Sequence, residues 1–187
     1  MVLGLGNPGR AYEKTRHNLG AMAVAEVAAR HGVSLMPNTR SKALLAEVKL
    51  GAEIVALAFP QTYVNNSGQA LRGLMKKYPI SSPEGLLIIH DELDLPPGVV
   101  RVKKGGGVAG HNGLKSIVAF FGSSDFVRIR IGIGRPMASG AIVNYVLSGP
   151  PSKERELLMV GVAYAADAIE EIVTDGVDSA MNRLNVR

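Results

Sequence analysis

The sequence predicts a single α/β domain over residues 1–187, with a mixed, mostly parallel twisted sheet flanked by helices. Three observations support this. Apolar runs of strand length alternate with segments of helical spacing. Leu86–Ile89 is wholly apolar, as expected of a buried central strand. A chain of 187 residues, 47% hydrophobic and 20% charged, suits one ordinary globular core.

In chain order, Val2–Leu5 reads as a short strand closed by the turn Gly6-Asn7-Pro8-Gly9. Leu19, Ala23 and Val27 recur at every fourth position, predicting a helix from about Asn18 to Arg30. Leu44–Leu50 and Ile54–Phe59 flank Gly51-Ala52-Glu53 as a hairpin. A helix over Gly68–Lys77 is broken by Pro79 and Pro83. A strand over Val99–Lys103 runs into Gly105-Gly106-Gly107, and Leu114–Phe121 is a short helix. In Phe126–Ile133, Val127, Ile129, Ile131 and Ile133 take one face, and Arg128, Arg130 and Gly132 the other. Ser152–Thr174 is an Ala-rich helix with Ser152 as the expected cap. The segment Met137–Gly149 is weakly patterned.

Composition excludes several chemistries. With no cysteine, there is no disulfide scaffold, thiol nucleophile or thiolate metal site. No apolar run reaches the roughly 18 residues that span a bilayer, and the N-terminus lacks a secretory apolar region. A cytoplasmic protein is expected. The net charge of +5 suits a polyanionic partner. With aromatics at 5% and no tryptophan, a base-stacking platform is not supported.

Two glycine-rich segments mimic nucleotide motifs. Gly4-Leu5-Gly6-Asn7-Pro8-Gly9 fits the dinucleotide spacing, but Pro8 occupies the turn and no acidic residue ends a second strand at the right distance. In Gly105–Ser116, Leu114 separates the glycine from Lys115, so no phosphate-binding Gly-Lys-Ser is formed.

Polar residues gather where strands meet loops: Asn7, His17-Asn18, Asn65-Asn66-Ser67, His90-Asp91-Glu92 and His111-Asn112. Nothing here is an activated nucleophile. Water is therefore the expected attacking group, with His17 as base and Asp91 fixing its tautomer, sufficient for an activated bond such as an ester. Four histidines and Asp91-Glu92-Leu93-Asp94 show no metal-ligand spacing, so no metal is expected. Taken one at a time, these residues also fit turn formers, helix caps or, for Arg128 and Arg130, a solvated strand face.

Their combination is more specific. GLGNPG-x2-Y-x2-TRHN-x-G at 4–20, P-x-T-x2-N-x-SG at 60–68, HDELDLPPG at 90–98, GGG-x-AGHNGLKS at 105–116 and F-x-R-x-RIGIGRP at 126–136 resemble the bacterial peptidyl-tRNA hydrolase family. The resemblance implies a monomeric α/β enzyme, without metal or cofactor, that cleaves the ester joining a peptide to the 3′ ribose of tRNA. It implies His17 as catalytic base and Asp91 as its orienting carboxylate. Asn7, Tyr12, Asn65 and Asn112 match substrate-binding positions, and Lys103 and Arg130 match a clamp on a tRNA phosphate. The segment around Met137–Gly149 would be a mobile cover.

Two departures stand out. Val64 replaces the methionine usual before the second-motif asparagine, which would widen or stiffen that wall. Only three residues precede Gly4, so a short first strand is expected. The rival reading is an inactive RNA-processing relative, which would carry an organelle transit peptide and would not need His17 and Asp91 together. Another peptidyl or aminoacyl ester as substrate is a further alternative, against which Lys103 and Arg130 argue.

Overall fold

The computed structural model describes residues 1–136 and 139–185. Among these residues seven strands form one sheet: β1 (Val2–Gly4), β2 (Met36–Asn38), β3 (Ala43–Leu50), β4 (Glu53–Pro60), β5 (Leu87–Glu92), β6 (Val100–Lys104) and β7 (Val127–Gly132). Their order is β2-β3-β4-β1-β5-β7-β6. The parallel character is concentrated in the central four strands, β4, β1, β5 and β7. The edges, β2–β3 and β6, are antiparallel. The short first strand is present, at three residues.

Among the described residues there are six helices: α1 (Leu19–Arg30), α2 (Ser67–Lys77), α3 (Asn112–Phe121), α4 (Ile142–Val146), α5 (Ser152–Asp175) and α6 (Val177–Leu184). On one face, α1, α5 and α6 pack on Val2, Leu57, Leu87, Ile89, Val127, Ile129 and Ile131. On the other, α2 and α3 pack on Leu3, Leu5, Ala58 and Ile88. Leu71, Leu74, Leu114 and Ile117 are fully buried there, each stabilising the fold by about 1.5–3 kcal/mol. The alternation read in β7 holds, with its isoleucines and Val127 in the first core.

Several elements differ from expectation. The central strand extends through Glu92, because His90, Asp91 and Glu92 keep strand pairing with β7 while carrying polar side chains. The polar run had suggested a loop. Ser152 is the first residue of α5, with Pro151 at the cap and no side-chain capping bond. Arg128 is buried, not on a solvated face. Strand β2 and helices α4 and α6 were not anticipated; β2 is a three-residue edge strand containing Pro37. Strand β6, the opposite edge, is closed by Asn185. Its amide accepts from the Val102 N–H at 3.0 Å and donates to the Val102 carbonyl at 2.9 Å, completing the ladder as a further strand would.

The approach of α1 to the strand ends positions the site. A Cβ on Gly4 would lie 2.2 Å from the Gly20 carbonyl oxygen, and one on Gly20 would lie 2.2 Å from that of Ile89. Only glycine allows this contact, which sets the 3₁₀ turn Arg16–Asn18 above the ends of β1 and β5. That turn carries His17.

Candidate active site

One cleft of about 550 Å³ opens at the carboxyl ends of the central strands, where open α/β sheets build their sites. His17, Asp91, Asn7, Tyr12, Asn65 and Asn112 all line it. Lys103 and Arg130 do not. They project from β6 and β7 beside it, with Arg130 in register with His90 and 3.6 Å from Glu92, which does line the cleft.

At the floor, one oxygen of Asp91 faces two imidazoles. His17 Nδ1 lies 2.8 Å from Asp91 Oδ1 and His111 Nε2 lies 3.1 Å from the same atom. His111 caps α3, its Nδ1 accepting from the Leu114 N–H at 3.3 Å. That lone pair must be free, so the proton of a neutral His111 sits on Nε2 and is donated to Asp91. His17 likewise donates from Nδ1. Its Nε2 is left as the basic atom facing the cleft.

The electrostatics follow. Burial pushes the Asp91 carboxyl up, but His17 and His111 outweigh it and hold the group below the usual carboxylate range. In His17, burial disfavours the imidazolium, yet the Asp91 charge and hydrogen bond prevail and raise its pKa above 6.5. His90 is held in the opposite sense. Burial, helped by neighbouring His111, lowers it to about 3. Its Nδ1 donates to the Asp91 carbonyl at 2.7 Å, while its Nε2 is buried without a partner among the described residues.

Asn7 is fixed from both sides. Its backbone N–H donates to Asn18 Oδ1, and Asn18 Nδ2 donates to its carbonyl, both at 2.9 Å. Its Oδ1 accepts from the Val64 N–H at 2.8 Å. The side-chain NH2 is then the group left to donate. Asn65 and Asn112 are exposed and make no side-chain hydrogen bond within the described residues. Tyr12 meets Tyr63 edge to face at 6.3 Å on the rim.

Sequence reasoning missed three features. His111 was read only as part of a loop, although its place just before a helix marked it as a cap. Ile142, Val143, Val146 and Leu147 give the cleft an apolar wall. They belong to the expected cover segment, of which Met137 and Ala138 lie outside the described residues. Arg16 anchors this wall: it forms a two-pronged pair with Glu154, at 2.7 and 2.9 Å, and donates to the Tyr145 and Ser148 carbonyls, each at 3.2 Å. No serine, threonine, cysteine or lysine lines the cleft among the described residues.

Asp91, His17 and His111 offer three ligand atoms within 4.8 Å of one another. A cation there would have to displace both protons shared with Asp91. The His111 proton is fixed by the capping bond, so the residues present fit a hydrogen-bonded triad better than a metal centre.

Fold and site thus define an α/β protein whose cleft holds a carboxylate-paired imidazole and side-chain amides. The whole chain, residues 1–187, matches the family described as peptidyl-tRNA hydrolase. It is 43% identical over 186 residues to the peptidyl-tRNA hydrolase of Methylococcus capsulatus, covering all of this chain and 98% of that one. It is 45% identical over 186 residues to that of Roseiflexus castenholzii, covering 99% and 86%. The crystal structure of peptidyl-tRNA hydrolase from Acinetobacter baumannii superposes with a TM-score of 0.92 at 40% identity, covering 98% of this chain and 93% of that one. The chain belongs to the peptidyl-tRNA hydrolase family.

Proposed function

We propose that this protein hydrolyses the ester between a peptide and the 3′ ribose of tRNA, releasing both, with His17 as the base that activates water. The observation that carries the reading is the His17–Asp91 contact of 2.8 Å at the floor of a cleft that no serine, threonine, cysteine or lysine lines among the described residues. Water on His17 Nε2 gives its proton to the imidazole as its oxygen attacks the ester carbonyl. Asp91 stabilises the imidazolium that forms. The amide NH2 of Asn7, fixed as a donor, stabilises the developing oxyanion. The imidazolium then returns its proton to the departing 3′ oxygen.

Asn65, Asn112 and Tyr12 hold the peptide and the 3′ end. Amides pair with any peptide backbone, which suits a substrate of arbitrary sequence. Lys103 and Arg130 clamp a phosphate of the acceptor stem, a contact independent of base sequence. The enzyme works as a monomer, a reading supported by His17, Asp91, Asn7, Asn65 and Asn112 of a single chain meeting in one cleft. It acts in the cytoplasm, where peptidyl-tRNA arises in translation. The alternative of an inactive RNA-processing protein is not favoured, because it leaves the paired His17 and Asp91 without a task.

The test is cleavage of an N-acetyl-aminoacyl-tRNA by wild type and His17→Ala. We expect kcat to fall by about 10²–10⁴ with tRNA binding retained. Equal activity in the two proteins would remove His17 from the chemistry.

A further inference from the structure

Arg128 is the bulkiest fully buried side chain of the described residues, and the reaction sequence above does not use it. A buried guanidinium costs several kcal/mol in lost hydration, so its hydrogen bonds indicate what it is for. Its Nη1 donates to the Gly107 carbonyl at 2.9 Å, and its Nη2 donates to Gly106 at 3.0 Å and to Gly105. Its two terminal nitrogens are spent on three successive carbonyls of one loop, while its buried Nε has no partner among the described residues. Gly105 and Gly106 take left-handed backbone, at φ +66° and +83°, which lets neighbouring carbonyls turn towards one cation.

This loop has no side chains of its own to anchor it. It leads directly into Val108–Asn112, where the His111 N–H bonds the Val108 carbonyl at 2.9 Å, and so to the cap on Asp91 and to Asn112. On its other side lies Lys103. A Cβ on Gly106 would lie 2.9 Å from Lys103 Nζ and from its Cε. In the ladder, Lys103 is paired with Arg128 itself. The loop therefore joins the strand pair carrying Lys103 and Arg130 to the residues around Asp91.

We propose that Arg128 is a positioning residue: by gathering the carbonyls of Gly105, Gly106 and Gly107, it fixes the loop that sets His111 on Asp91 and Asn112 at the cleft wall. Its effect on turnover rests on the reading under Proposed function; its effect on the loop does not. Arg128 is not a third phosphate ligand, since both of its terminal nitrogens are already engaged. Displacing this loop by an ångström or so is expected to lower kcat more than it raises KM.

The experiment compares wild type with Arg128→Met, which keeps the stem and removes the donors. Two readouts are used: kinetics on N-acetyl-aminoacyl-tRNA and amide hydrogen exchange followed by mass spectrometry. We expect kcat to fall by about 10- to 100-fold, with KM rising no more than it does in Asn112→Ala. Exchange in residues 105–112 should quicken while β5 and α5 keep wild-type protection. In Arg128→Ala, millimolar guanidinium should restore part of the lost kcat, and it should restore none in His17→Ala. A raised KM with unchanged kcat would make Arg128 a phosphate ligand and overturn the proposal. Wild-type exchange in the loop would overturn it too. Should neither variant fold, Arg128→Lys keeps the charge but puts one nitrogen where three carbonyls wait. It should show the same pattern, and wild-type kcat and exchange there would refute the proposal. If wild type itself fails to cleave the substrate, the functional reading falls, and the exchange experiment still decides what Arg128 does to the loop.

Discussion

At the floor of the cleft, His17, Asp91 and His111 share two protons over 2.8 and 3.1 Å, and Asn7 is held by Asn18 and by Val64. At the rim, Asn65, Asn112 and Tyr63 are exposed, and the two asparagine side chains bond nothing within the described residues. The contrast maps onto two demands of the reaction. Proton transfer and oxyanion stabilisation need groups fixed before the substrate arrives, because reorganisation would add to the barrier. A peptide of arbitrary sequence needs contacts that adjust. In the mechanism proposed above the same residue type serves both, and what separates Asn7 from Asn65 is the hydrogen bonding around it.

Asn7→Asp tests the floor. It keeps the oxygen that accepts from Val64 and replaces the NH2 with a second oxygen. We expect kcat to fall by about 10²–10³ with little change in thermal stability. A variant that turns over normally would place the oxyanion donor elsewhere. For the strand pair outside the cleft, Lys103→Ala and Arg130→Ala should raise KM with kcat largely preserved. Each should also flatten the salt dependence of kcat/KM by about one unit of log–log slope. At the rim, Asn65→Ala and Asn112→Ala should give smaller losses, of about 3- to 30-fold, seen mainly in KM. Losses as large as that of Asn7→Asp would erase the distinction drawn here.

The smallest expected effect is on stability. His90 holds its folded pKa near 3, so between about 3 and 6.5 the unfolded chain binds a proton that the folded chain does not. Stability should fall as the pH drops below 6.5 and be unaffected by this group above it. His17, shifted upwards, titrates above that window. His90→Gln should flatten the pH dependence of Tm between 4.5 and 6.5, and an unchanged slope would mean that His90 does not stay neutral.

The elements with clear periodicity, α1, the β3–β4 hairpin and β7, were legible because their apolar spacing is dictated by one buried face. The same logic hid the end of β5. His90, Asp91 and Glu92 look like a loop by polarity, yet they stay paired with β7 because the site is built into the strand. All six residues expected to catalyse or bind the peptide end do line one cleft, since turn chemistry and polar strand ends mark such places in sequence. Arg128 was legible only as one face of a strand, and which carbonyls it would reach depends on the fold. The double use of Asp91 was equally hidden, because 20 residues separate it from His111.

If Asp91 polarises His17, the pH dependence of kcat/KM differs between wild type and Asp91→Asn. His17 must be neutral to accept a proton, so activity should rise with pH through a midpoint above 6.5 in wild type. In Asp91→Asn, that midpoint should move down as the opposing charge is lost, with a lower plateau. An acid limb that stays where it was in wild type would mean that Asp91 does not set the basicity of His17.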